Sequence, residues 1–407
     1  KGTVIGAPEI DLSVNTTTFE IGSAQDLVGD FSIRLLAGAT VPLDVADDQL
    51  LVGRNAFIEK DSTLEITSAR FTNFATVTLS PQPSPTGGEF RSTIIVDVDP
   101  SDGISNNAGT LVNQGSILVT PGQARAMFYL ELENGVDGIF DAGQRVSFLP
   151  NRITGPVHHV NQGTMFLREG GQIIGTTFTN TGSLEVSGDT SFSGIFDLAG
   201  GSAVVDGTLT FSSFGGIKVR NGASLSMAPN SEIATAFQGV IELLAGAISG
   251  APTFKMVGSS NVTIGDAASL TGDFTLSINP VIVGPNVNSA HLALAIADNQ
   301  LTAGRTLAIG RNSQVAINTS SFTNHGAITF GSTDIQSSLR VATNEMQGTN
   351  LVGTLVNTGT ISSGTGPERL LLDFQLNNTA TGIVEFNQFV HLSPNRAAVH
   401  TNDGNVT

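Results

Sequence analysis

Cysteine and tryptophan are missing altogether from this 407-residue chain, and tyrosine occurs once, at Tyr129. Without cysteine there is no disulfide, no thiolate metal site and no cysteine nucleophile. That absence suits a secreted bacterial protein, although a cytosolic home or plain chance gives the same count. Charged residues make up only 13 %, about half the usual share, and no apolar run approaches the ~18 residues of a membrane-spanning helix. The charge that is present leans one way. Thirty-five acids against 18 bases leave a net −17, which repels phosphate backbones and removes nucleic acid from the expected partners. With 40 % hydrophobic residues and a mean hydropathy of +0.15, the chain does not read as disordered. It begins at Lys1 with neither an initiator Met nor an apolar leader, and so reads as a mature product or a piece of something longer.

What the chain does contain is itself, twice. The segment 46–80 aligns without a gap on 297–331, with 13 of 35 positions identical, including Gly53/Gly304, Arg54/Arg305 and the triplets Phe71-Thr72-Asn73 and Phe322-Thr323-Asn324. Upstream, 21–31 matches 264–274 at 7 of 11 positions; downstream, GTLVNQGSI at 109–117 recurs as GTLVNTGTI at 353–361. The offset stays between 241 and 251, so the chain is a tandem duplication of period near 244. Residues 1–249 hold the first copy and 250–407 a second, truncated one.

A shorter motif lies inside the long one. The pattern Asn-x-[Gly/Ala]-x-[aliphatic or Met] starts at Asn73, Asn113, Asn161, Asn180, Asn221, Asn324, Asn357 and Asn402, with most gaps close to multiples of about twenty. Several of these motifs open an alternating run, such as Ser-Leu-Glu-Val-Ser after Gly182. Alternation is the strand signature, and Asn and Gly ahead of it supply the turn. Short strands at this spacing predict an all-β fold, a parallel β-helix or β-solenoid of roughly 20-residue coils stacked at ~4.8 Å. The recurring Asn then acquires a structural task, bonding its equivalents one coil above and below. Tandem antiparallel β-sandwiches are the rival, since strand spacing alone does not exclude them. Helical periodicity is scarce, but 237–248 and 289–301 read as short helices, with 121–133 ambiguous.

The segments LVNQGSILV, FTNTGSLEV and LVNTGTI resemble the strand repeats of bacterial secreted and surface proteins, the haemagglutinin-like and autotransporter-like β-helices. The likeness is generic and covers about a third of the chain. It implies an extracellular or cell-surface setting and adhesion, coating or fibre formation, and transfers no binding residue.

Chemistry-bearing residues are few. Asp97, Asp99 and Asp102, followed by Gly103, alternate as in calcium loops, although no acid stands at the twelfth position of an EF-hand. Asp137 and Asp141 frame a second acidic stretch whose counterpart in the second copy replaces Asp137 by Thr381. These five residues form the candidate Ca2+ set, against the plainer reading of solvated acidic turns. His158-His159 is badly spaced for a shared metal, and the alignment of His159 with His400 points to a structural role. The recurrent arginines Arg54/Arg305, Arg125/Arg369 and Arg152/Arg396 predict carbonyl or carboxylate clamps at coil corners.

An enzyme is not expected. No nucleophile elbow, His-Glu-x-x-His pair or phosphate loop occurs, and the Trp and Tyr platforms common in sugar sites are nearly absent. The expected function is an extracellular structural protein, a solenoid building block of a fibre or coat that assembles with itself end to end. The alternatives are an adhesin stalk or module gripping surface or matrix glycans through the insertions 81–102 and 279–288, and, third, a carbohydrate-active β-helix enzyme using Asp97, Asp99 and Asp102.

Overall fold

The computed structural model describes residues 2–407 apart from 14–17, 24–26, 82–90, 99–107, 123, 151–155, 230, 284–285, 332–335, 344–350, 368 and 393–398. The chain divides into two compact units, Lys1–Gly207 and Thr208–Thr407. Each is a parallel β-solenoid, and together they comprise about 15 coils of ~23 residues. No helix occurs among the described residues.

A coil of the first unit carries three short strands separated by corners, as in Thr177–Asn180, Ser183–Val186 and Thr190–Phe192. Each strand pairs in parallel with its equivalents one coil before and after: Ser183–Val186 lies in register between Thr164–Leu167 and Ser202–Val205. The second unit repeats the scheme, with Thr306–Ile309 between Thr275–Asn279 and Ala327–Phe330. Two antiparallel additions occur there, a hairpin of Val281–Val283 with Asn286–Asn288 and the pairing of Ala342 and Thr343 with Val352 and Leu351. Parallel stacking of consecutive coils replaces the alternative of antiparallel sandwiches.

Alternation decides which side chains enter the core. Successive strand residues point to opposite faces, and a coil has only one inside. In-register pairing therefore stacks like positions into columns. Leu35, Ile58, Leu79, Val119, Ala142, Leu167, Val186 and Val205 follow one another through seven coil steps, each at most 3 % exposed. Phenylalanines cluster in the core. Phe128, Phe140 and Phe148 meet at centroid distances of 5.0–5.4 Å, and Phe178, Phe192 and Phe196 at 5.4–5.9 Å.

Three sequence expectations need correction. Residues 237–248 are not a helix but the strands Val240–Leu243 and Gly246–Ser249. Residues 289–301 hold the strand Ala290–Ile296, in which His291, Ala293 and Ala295 face outward. Alanine at outward positions is apolar, so the period of two disappears from a hydrophobicity pattern even though the backbone obeys it. The ambiguous stretch 121–133 resolves toward its alternating end, with the strand Ala126–Tyr129, buried Leu130 and the start of the strand Glu131–Asn134. The coil is longer than the expected twenty residues as well. Asn161 and Asn180 mark the tightest turn of the motif, 19 residues, and insertions at corners lengthen others.

Candidate functional site

The most ordered chemistry in the molecule is amide chemistry. In the first unit the side-chain Nδ2 of Asn73 donates to Oδ1 of Asn113 at 2.9 Å, Asn113 to Asn134 at 2.7 Å, Asn134 to Asn161 at 2.7 Å, and Asn161 to Asn180 at 2.6 Å. In the second unit Asn324 donates to Asn357 and Asn357 to Asn378, both at 2.8 Å, and Asn378 to Asn402 at 2.7 Å. All bonds in both ladders run in one direction along the chain. Except for exposed Asn402, every rung is fully buried. The second Nδ2 hydrogen goes to a corner carbonyl of the following coil, for example Asn113 to Ile139 at 3.0 Å and Asn357 to Ile383 at 3.2 Å. A buried amide left unmet costs ~1–3 kcal/mol, so a continuous ladder fixes the coil-to-coil register at each corner it passes.

The motif located most rungs and misplaced one. Asn221 is an exposed turn residue with φ +59°, outside either ladder. Asn134 and Asn378 are rungs that the motif misses. Their corners are two residues longer, with Gly138 and Gly382 four positions on rather than two. A signal was available nonetheless, because each lies 21 residues after its predecessor, Asn113 or Asn357, in its own copy.

His159 belongs to the same strand as the rung Asn161. Its ring is buried, with Phe148 at 5.5 Å and Gly175 against Cδ2, where a Cβ would stand 3.1 Å away. Nδ1 accepts the Leu132 N–H at 3.1 Å, so the proton sits on Nε2, which faces the Ile174 carbonyl at 3.1 Å. The imidazole thus replaces a missing ladder bond: this strand pairs with its neighbour only at Val160 and Asn161. His400 does the same for Leu376 N–H at 3.1 Å, beside the pairing of Thr401 and Asn402. Burial pushes the His159 imidazole down to about 4. This is a neutral structural ring.

The arginine clamps are formed as expected at two positions. Arg54 donates to the Leu27 carbonyl, and its guanidinium lies 5.5 Å from the Phe31 ring centroid. Arg305 donates to the carbonyls of Leu270 at 2.6 Å and Gly272 at 3.4 Å, over Phe274 at 4.9 Å. Both are at least 96 % buried, 4 % and 3 % exposed. The preceding glycines, Gly53 and Gly304, have φ +83°, and a Cβ there would strike Asp30 or Asp273 within 2.0 Å. The shared Gly-Asp-Phe and Gly-Arg of the two copies therefore build one corner, twice. Arg125 is half-buried and Arg369 exposed, while Arg152 and Arg396 lie outside the described residues.

Three of the five acidic candidates lie among the described residues. Asp97 ends the strand Ser92–Asp97, 2 % exposed, with its backbone bridged to Ala108. Asp99 and Asp102 lie outside the described residues. Asp137 is exposed in a turn, and Asp141 receives Nε and Nη2 of Arg168 at 2.8 and 3.0 Å. Among the described residues no group of three or more His, Asp or Glu is placed to hold a metal ion. No protein-family model, curated protein or solved structure matches the chain.

Proposed function

We propose that this is an extracellular structural protein, a β-solenoid building block of a fibre or surface coat that assembles with itself by coil-on-coil stacking. The observation that carries the reading is what the two copies share. The asparagine rungs, the histidines that cap Leu132 and Leu376, and the clamps Arg54 and Arg305 all join one coil to the next. These duplicated polar residues serve stacking, and a stacked coil is a general template. Its last strand offers a row of backbone N–H and C=O groups that another parallel strand satisfies by the same bonds used inside the protein.

Sedimentation velocity over a wide concentration range tests this reading. Assembly predicts species that grow with concentration and form without added partner. A single monomeric boundary at the highest concentration reached would overturn it.

A further inference from the structure

We infer that the outer face of four adjacent strands in the first unit is a binding site for an uncharged, extended oligosaccharide. The strands are Glu9–Leu12, Phe31–Leu35, Arg54–Ile58 and Thr76–Leu79, paired in parallel and in register. Their outward positions form two rows. Glu9, Ser32 and Asn55 lead to Thr76, whose N–H donates to Asn55 Oδ1 at 3.2 Å, and Asp11, Arg34 and Phe57 lead to Thr78. Between the rows lies a trough of about 400 Å³ with Glu9, Ser32, Asn55, Phe57, Thr76 and Thr78 in its lining.

Three features select the ligand class. The first is spacing: polar groups recur once per coil, ~4.8 Å, close to the advance per ring of an extended pyranose chain lying across the strands. The second is chemistry. Hydroxyl and amide side chains both donate and accept, as sugar hydroxyls require, and Phe57 supplies an apolar surface for the C–H face of a ring. Phe57 is turned outward and half-buried, whereas phenylalanines such as Phe71, Phe128 and Phe140 are buried in the core. Its place is fixed by Arg34, 5.6 Å from the ring centroid, which is itself held by Glu9 at 3.2 Å and Glu59 at 2.6 Å. The third is charge. Glu9, Asp11 and Glu59 outnumber the single Arg34, so a polyuronate or sulfated chain is repelled and a neutral one is not.

Glu9–Leu12 is the edge strand of its sheet, but Asn55, Phe57 and Thr76 stand on inner strands and a soluble hexamer is titrated without assembly, so this inference and the assembly reading stand or fall separately. Isothermal titration of the whole chain with cellohexaose, chitohexaose and hexagalacturonate tests it. At least one neutral hexamer is expected to bind and the uronate not to bind. Phe57→Ala, and separately Asn55→Ala with Thr76→Val, should weaken binding about tenfold or more. These side chains face outward, so circular dichroism should show the parent's fold, with melting lowered only where Asn55→Ala removes the bond from the Thr76 N–H. Phe214→Ala, a control at a residue 70 % exposed in the other unit, should leave affinity unchanged. Failure of both neutral hexamers to bind at millimolar concentration would overturn the inference. So would uronate binding as tight as that of the neutral hexamers, or equal losses in the Phe57 and Phe214 variants.

Discussion

Asn134 donates its side-chain amide to Asn161 Oδ1 at 2.7 Å although 27 residues separate them, and Asn378 donates to Asn402 at the same distance over 24. Loop length between rungs changes while the bond does not. The corner amide therefore sets the register, and insertions, including the two extra residues at the Asn134 and Asn378 corners, leave it in place. One consequence is a ranking of rungs. Asn134→Ala leaves the Asn113 donor and the Asn161 acceptor buried and unmet, and should cost about 3 kcal/mol or more. Asn324 is different: its Oδ1 has no partner, and the register neighbour before it is Leu301. Asn324→Leu strands the Asn357 acceptor and the Thr360 carbonyl but removes an unmet acceptor and leaves no donor stranded, so it should cost less than Asn134→Ala, about 1–2 kcal/mol. Urea unfolding midpoints of the two variants check the order.

The histidine that replaces a ladder bond makes stability depend on acid. His159 has a folded value near 4, below the ordinary 6.5, because burial disfavours the charged ring. The unfolded chain binds the proton more readily, so the stabilisation is complete above pH 6.5. It should fall by ~1.4 kcal/mol per pH unit down to about pH 4, ~3 kcal/mol in all. Carboxylates titrate in part of the same range, so the diagnostic quantity is a difference. His159→Gln should be less stable than the parent at pH 7 and show a shallower loss between pH 6.5 and 4.5 in paired melting curves.

Arg305 offers donors to two carbonyls and stacks on Phe274, which an ammonium on a flexible stem does not reproduce. Arg305→Met should destabilise the second unit by about 2 kcal/mol through the unmet Leu270 and Gly272 carbonyls. Arg305→Lys should recover less than half of that. Equal stability of the Lys variant and the parent, measured by urea unfolding, would show that charge rather than fork geometry does the holding.

How much of this was legible in the sequence varied with the signal. Residues such as Leu184 and Val186, separated by outward Glu185, announce a strand because the outward residue is charged. Ala293 and Ala295 hide one because the outward residues are as apolar as their neighbours. Rungs with a two-residue corner were visible as Asn-x-Gly, whereas Asn134 and Asn378 were obscured by longer corners and Asn221 imitated a rung from a left-handed turn. The clamps Arg54 and Arg305 could be anticipated because both copies carry them, although their partners are carbonyls fixed only by the coil path. The trough beside Phe57 left no mark at all. Its residues come from four segments of the chain, with Glu9 and Thr78 at its limits, and only parallel register brings them side by side.

Cryo-electron microscopy of the purified protein at high concentration tests the central claim most directly. Coil-on-coil assembly predicts filaments in which the parallel ~4.8 Å strand spacing continues unbroken from one subunit into the next. Uniform single particles with no subunit joined at a coil edge would contradict it.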